Sequence, residues 1–211
     1  MDLFDIRQDY KQGQLSPDDL LSKPLEQVEL WLNDAAKAKC LEHSAIVLST
    51  VSESGGASSR IVLLKKIDNE GLYFFTNYNS RKGQQIAANN KGALLLFWPE
   101  LERQVNIEGS IEKCSAELSD IYFNSRPLKS RVSALVSQQS KEVKDRETML
   151  KPWEEAMKQA EKEGIERPNY WGGYILKPTR IEFWQGGANR FHDRIVFESE
   201  HKTWKISRLM P

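Results

Sequence analysis

The chain has 211 residues, and its 30 Lys and Arg balance its 30 Asp and Glu to a formal net charge of zero. That length suits one domain with a real core and small appendages, and the neutral balance supplies no bulk attraction to nucleic acid or to an anionic membrane. Charges within the first residues argue against a secretory signal, and the longest apolar run, Ala93 to Trp98, is too short to cross a bilayer.

Residues 1–22 mix charge with turn formers and read as an N-terminal arm or lid, leaving 23–211 as a single domain. From Pro24 to about Lys39, the positions Leu25, Val28, Trp31, Leu32 and Ala35 share one helical face, which predicts an amphipathic helix. Short segments rich in Val, Ile, Leu, Phe and Tyr follow: Ala45 to Val51, Arg60 to Lys66, Leu72 to Asn77, Ala93 to Trp98 and Arg103 to Lys113. Turn formers separate them, as in Glu53-Ser-Gly-Gly56 and Asp68-Asn-Glu-Gly71, so they read as successive antiparallel strands. Ser80 should cap a helix to Ala88, and Ser115 a second helix to Asn124 that stops before Pro127. Ser137 to Gly164 is polar and helix-prone and reads as a solvated helix. Strand texture returns at Gly173 to Leu176, Thr179 to Gln185, Arg194 to Glu198 and Thr203 to Leu209. The fold class is therefore mainly β with flanking helices, an antiparallel barrel.

The familiar catalytic signatures do not occur. The chain contains no Gly-x-Gly-x-x-Gly, no Walker lysine loop and no Gly-x-Ser-x-Gly. His43, His192 and His201 are too scattered for a metal site, so no metal is expected. Cys40 and Cys114 lack ligand spacing and read as reduced thiols of a cytoplasmic protein.

Four clusters could carry chemistry. Within Arg60-Ile61-Val62-Leu63-Leu64-Lys65, strand alternation puts Arg60 and Lys65 on opposite faces. Edge solvation would explain two such cations, and so would two anionic ligand groups on the two sides of the strand. Arg81 and Lys82 open a helix, where cations oppose the dipole and a bound phosphate would account for them. Arg60, Arg81 and Lys82 together form a plausible phosphate clamp, each contact worth about 1.5–3 kcal/mol. Tyr122 and Arg126 are four apart on one helix face, with Ser130 beyond Pro127; they suit a second phosphate or an ordinary Tyr–Arg stack. Finally, Trp184, Arg190, His192 and Arg194 surround a Gly-Gly turn. Read in strand register, the last three would converge on one face and repel one another unless an anion lay between them.

The stretch Ile181-Glu-Phe-Trp184-Gln-Gly-Gly-Ala-Asn-Arg190-Phe-His192-Asp-Arg194 resembles, at every defined position, the C-terminal signature of the pyridoxine (pyridoxamine) 5′-phosphate oxidase family. Arg60 to Lys65, Phe75-Thr76-Asn77, Ser80-Arg81-Lys82, Glu102-Arg-Gln104-Val105, Ser125-Arg-Pro127, Tyr170-Trp-Gly-Gly173 and Arg208-Leu-Met-Pro211 also look like family segments, in family order, from about Ile6 onward. The resemblance implies an FMN-binding split β-barrel and a homodimer with FMN at the subunit interface. It implies oxidation of pyridoxamine or pyridoxine 5′-phosphate to pyridoxal 5′-phosphate, with O2 as acceptor. It assigns FMN to Arg60 through Lys65, Phe75, Thr76, Arg81, Lys82, Gln104, Gln139, Ser140, Trp184 and Arg194. It assigns substrate to Lys65, Tyr122, Arg126, Ser130, Arg190 and His192, the last two at the reacting ring. Arg7 and Tyr10 match an N-terminal pair that closes over the substrate. Another split-barrel flavin oxidoreductase, or a non-catalytic FMN or pyridoxal phosphate binding protein, is the alternative.

Overall fold

The structure is a computed structural model that describes residues 1–4, 9–201 and 203–211. Its first long element is α1 (Pro24–Lys37), which buries Leu25, Val28, Trp31 and Ala35 along the expected stripe. The strands are β1 (Ala45–Val51), β2 (Ala57–Leu63), β3 (Lys66–Asp68), β4 (Gly71–Asn77), β5 (Lys91–Trp98), β6 (Arg103–Lys113), β7 (Trp171–Gln185), β8 (Asp193–Glu200) and β9 (Thr203–Leu209). Helices α2 (Arg81–Ala88), α3 (Ala116–Ser125), α4 (Leu128–Val136) and α5 (Arg146–Glu163) sit between them. Among the described residues no helix is long and apolar enough to cross a membrane.

All strands join one antiparallel sheet in the order β2-β1-β5-β6-β7-β4-β3, with β8 and β9 added beside β7. The sheet curls because β7 serves two neighbours in turn. Its first half, Trp171 to Leu176, pairs with β4, and its second half, Arg180 to Gln185, pairs with β8. The sequence suggests two strands here. They are one, bent where the β6 register shifts between Glu108 and Gly109, opposite Pro178. A bulge tolerates a proline that cannot donate to the ladder.

The concave face holds the core. Ile46, Leu48, Leu94, Leu96, Val105, Ile107, Ile181, Phe183, Ile195 and Phe197 are all buried, as period-two strands require. Trp31 of α1 meets Phe183 edge to face at 5.1 Å, which seats that helix on the core. On the other face of β2 and β5, Ile61, Leu63 and Phe97 are 70%, 39% and 51% exposed. An apolar sheet face left open by one chain marks a surface for a partner.

The helical expectations hold less evenly. Ser80 and Ser115 cap α2 and α3 as expected, accepting from Gly83 N and Leu118 N. The polar stretch from Ser137 is helical only within Arg146–Glu163, with the Asp145 side chain accepting from Thr148 N at its start. Helix α4 is unexpected: Pro127, which reads as a stop, is the N-cap of a new nine-residue helix, a position where proline's missing N–H costs nothing.

Candidate functional site

A cavity of about 320 Å³ lies between β2, β4, α2, α3 and the start of β7. Arg60, Ile61, Val62, Leu63, Lys65, Phe75, Thr76, Lys82, Tyr122, Arg126, Gln139 and Trp171 line it. Arg60 and Lys65 therefore share one cavity rather than serving opposite faces of one strand. The reason is local: β2 ends at Leu63, Leu64 turns into the core, and the chain re-aims Lys65. With its side chain in that core, Leu64 can offer a ligand only its backbone.

Arg60 is held rather than free. Its guanidinium donates to Leu48 O (3.0 Å), Thr50 Oγ1 (2.7 Å), Ser58 Oγ (2.7 Å) and Gln85 Oε1 (3.2 Å). Gln85 is buried in α2, so the helix and the β1–β2 hairpin fix this cation jointly. Lys82, one turn before Gln85, donates to Gln139 Oε1 at 2.9 Å and Thr76 Oγ1 at 3.3 Å. Burial pushes the Lys82 ammonium below its ordinary pKa, and Arg60 pushes it further the same way. Burial likewise lowers Arg60, with Arg81 adding repulsion. Arg81 itself is exposed and does not line the cavity. Among the described residues no carboxylate pairs with Arg60 or Lys82, and cations gathered at a partly buried point favour an anion between them.

The opposite wall is aromatic. Phe75 and Tyr122 stack at 4.0 Å, and Trp171 continues the pile at 5.9 Å from Phe75. The Arg126 guanidinium lies over Trp171 at 4.7 Å. Burial lowers the Arg126 pKa and raises that of Tyr122. Arg126 Nη1 is buried without a hydrogen-bond partner among the described residues. An orphaned guanidinium N–H is expensive to keep, and an anionic oxygen would satisfy it. Gly173 makes this wall possible: a Cβ there would stand 2.7 Å from the Phe75 ring. Ser130, half-buried in the first turn of α4, and Ser140, exposed with φ +73°, do not line the cavity.

A second group lies elsewhere on the chain. Gln104, Trp184 and Arg194 are register partners on β6, β7 and β8, so their side chains form a row across one sheet face. His192 packs on Trp184 at 4.8 Å, and its Nδ1 accepts from Gly187 N at 3.2 Å. That bond commits Nδ1 as acceptor and leaves Nε2 as the ring's N–H donor. Tyr10 closes the set, edge-on to Trp184 (5.5 Å) and His192 (5.4 Å). Arg7 lies outside the described residues.

The strand register expected for Arg190, His192 and Arg194 does not hold. Arg190 belongs to a 3₁₀ turn, Ala188–Arg190, with φ +65° after Asn189 at φ +54°, and its side chain is exposed. Arg194 already has its anion: Glu182 Oε1 accepts from its Nε at 2.7 Å. Burial raises the Glu182 carboxyl, but bonds from Arg194 and Arg180 outweigh burial and leave it below the usual range. Arg194 therefore needs no ligand anion to neutralise it.

Gln104, Trp184, Arg190, His192 and Arg194 do not line the cavity. The structure thus divides the expected residues into a cation-lined pocket and an aromatic–imidazole row. Sequence reasoning missed Gln85 as the holder of Arg60, Trp171 as the floor for Arg126, and Glu182 as the partner of Arg194. Only Trp171 had a local signal, the Gly172-Gly173 pair that marks close approach. The donors and cations of the cavity, with its flat aromatic wall, fit phosphate groups on a planar ring such as FMN or a phosphorylated pyridine.

Comparison with known proteins finds matches to both parts of the chain. Residues 32–156 match the family described as "Pyridoxamine 5'-phosphate oxidase". Residues 171–211 match the "Pyridoxine 5'-phosphate oxidase C-terminal dimerisation region". The pyridoxine/pyridoxamine 5′-phosphate oxidase of Cytophaga hutchinsonii is 51% identical over 99% of this chain and 98% of its own. That of Cupriavidus taiwanensis is 49% identical over 99% of both. Among solved structures, PhzG of Burkholderia lata, in complex with tetrahydrophenazine-1-carboxylic acid, superposes with TM-score 0.88 at 31% identity, covering 93% of this chain and 98% of that one.

Proposed function

Since the chain belongs to the pyridoxine/pyridoxamine 5′-phosphate oxidase family, we propose that it is an FMN-dependent oxidase converting pyridoxamine and pyridoxine 5′-phosphates to pyridoxal 5′-phosphate. One hydrogen leaves C4′ of the substrate and a second leaves its hydroxyl or amine, O2 takes up both to become H2O2, and the amine substrate also takes up water and releases ammonia. The observation that carries this reading is the cavity itself, where Arg60 and Lys82 face one end and Arg126 Nη1 waits unpartnered at the aromatic wall.

Bound FMN supplies the two-electron redox chemistry, and the protein's part is to bind and orient. Arg60, Lys82, Thr76 and Gln139 would hold its phosphate, with Arg81 adding field from outside. Lys65, Tyr122 and Arg126 would hold the substrate phosphate, joined by Ser130 from the first turn of α4. Such anchoring fixes C4′ in register and can remove about 7–11 kcal/mol of barrier in the best cases. In this reading the chain works as a homodimer, supported by the dimerisation region at 171–211 and by the open apolar face of Ile61, Leu63 and Phe97. The row Gln104, Trp184 and Arg194, carried by the other protomer, then closes the cavity over the flavin. Arg190 and His192 orient the pyridine ring and its phenolic oxygen; Tyr10 lies over it.

The test is to give purified protein FMN, O2 and pyridoxamine phosphate. Aldehyde absorbance, peroxide and ammonia in equal amounts are expected. Bound flavin that neither B6 phosphate reduces without air overturns the proposal. The likeness to PhzG favours one second reading, a carboxylated tricyclic substrate with Arg126 on the carboxylate. Turnover of that compound, and not of the B6 phosphates, would select it. The higher identity to the curated oxidases favours the B6 reading.

A further inference from the structure

Residues 10–15 run past the Trp184–His192 pair, and protein groups grip them by their backbone. Glu102 follows the 3₁₀ turn Pro99–Leu101 with φ +52°, a left-handed conformation that costs a non-glycine residue free energy. Its carbonyl oxygen accepts from Gly186 N at 2.8 Å and Gln185 Nε2 at 3.2 Å, which ties the turn to the end of β7. So held, the Glu102 carboxylate accepts from two consecutive backbone donors, Lys11 N at 2.7 Å and Gln12 N at 2.8 Å. The neighbouring space is filled: a Cβ on Gly186 would stand 2.8 Å from the Tyr10 ring and 3.0 Å from Glu102 Cβ. A second clasp follows at Leu15, whose N donates to Asp193 Oδ2 (2.9 Å) and whose carbonyl accepts from Arg208 Nη2 (2.8 Å).

We propose that Glu102 is a positioning residue: its carboxylate fastens the backbone at Lys11 and Gln12 and so holds the Tyr10 ring against Trp184 and His192. The inference rests on the reading above, that Trp184 and His192 face the reacting ring. Two charge-assisted bonds to one oxygen define a site that reads main chain, so side-chain changes at positions 11 and 12 are tolerated while loss of an N–H is not. The strained turn at Glu102 aims the carboxylate at the backbone of Lys11 and Gln12.

The test uses the FMN-loaded enzyme with the variants Glu102→Ala, Glu102→Gln, Gln12→Pro and Tyr10→Ala. In Glu102→Ala, the amides of Lys11 and Gln12 should exchange with solvent about tenfold faster, while those of β6 and β7 keep their rates. Its kcat/KM for pyridoxamine phosphate should fall about tenfold, mostly through KM, with FMN affinity within about twofold. Glu102→Gln keeps an acceptor oxygen and should recover most of the loss. Gln12→Pro removes a donor and should reproduce part of the defect with Glu102 intact. Adding Glu102→Ala to Tyr10→Ala should cost nothing further, because both act through one ring. Unchanged exchange at Lys11 and Gln12 in Glu102→Ala, or fully multiplicative losses in the double variant, would overturn the inference. Exchange is read without turnover. A wild-type enzyme inert toward B6 phosphates would sink the proposed function and leave the fastening of Tyr10 to be judged on exchange alone.

Discussion

Arg194 and Glu182 form an ion pair at 2.7 Å on the face of β7 and β8 that carries Trp184, and Arg180 meets the same carboxylate from the other side at 2.7 Å. Glu182 is 5% exposed, so its two cations are what permit its charge. Removing the carboxylate leaves two guanidiniums to repel each other. Glu182→Ala should cost about 1–3 kcal/mol of stability, read as a lower urea midpoint at constant m-value. The pH dependence has a definite sign. The folded carboxyl titrates below its ordinary value, so its stabilisation is complete above the unfolded pKa and fades as pH falls through the folded one. Wild type should therefore lose stability in acid below the ordinary Glu range, and a Glu182→Gln variant should lose less over that window. A variant with the same acid slope would remove Glu182 from the account.

Lys82 gives a prediction at the other end of the pH scale. Its free-state pKa lies below the ordinary lysine value because of burial and of Arg60. A phosphate beside it favours the charged form, so the bound-state pKa is higher. Binding of FMN should take up a proton between the two values, and affinity should weaken as pH rises through the free-state one. Flavin fluorescence titrations at neutral and alkaline pH check this. In Lys82→Met the slope should vanish along with much of the affinity.

Arg126 stands over Trp171 with Nη1 unpartnered. Arg126→Ala should raise KM for pyridoxamine phosphate by about ten- to a hundredfold with a smaller change in kcat, as loss of uniform phosphate binding does. Arg126→Lys should rescue incompletely, because an ammonium neither stacks nor forks. An unaltered KM in Arg126→Ala would take the residue out of the substrate site.

Gly173 is where the backbone yields to the aromatic wall. An added methyl would meet Phe75 and Cys114. Gly173→Ala should destabilise the fold by about 1–3 kcal/mol, the cost of overpacking. It should also loosen FMN by displacing Phe75 from Tyr122, seen as faster flavin release on dilution. Gly55, open on all sides, is the control position for the steric effect, although its φ of +85° adds backbone strain of its own.

The positions of most strands along the chain, though not their order in the sheet, the helix caps at Ser80 and Ser115 and the burial stripe of α1 were legible in the sequence. Each depends on local period or local hydrogen bonding, which neighbouring residues alone determine. The sequence also singled out Arg60, Lys82, Tyr122 and Arg126 as candidates for holding an anion. Where these meet is a tertiary matter. That Lys65 joins Arg60 follows from β2 ending at Leu63, and that Arg194 is neutralised by Glu182 follows from β7 lying beside β8. Two cations in one sequence window can share a ligand or have separate protein partners, and only distances between strands far apart in the chain distinguish the two. The same reason hid Gln85 and the hold of Glu102 on the arm. Each acts through space on a residue tens of positions away, and composition and spacing along the chain carry no record of that.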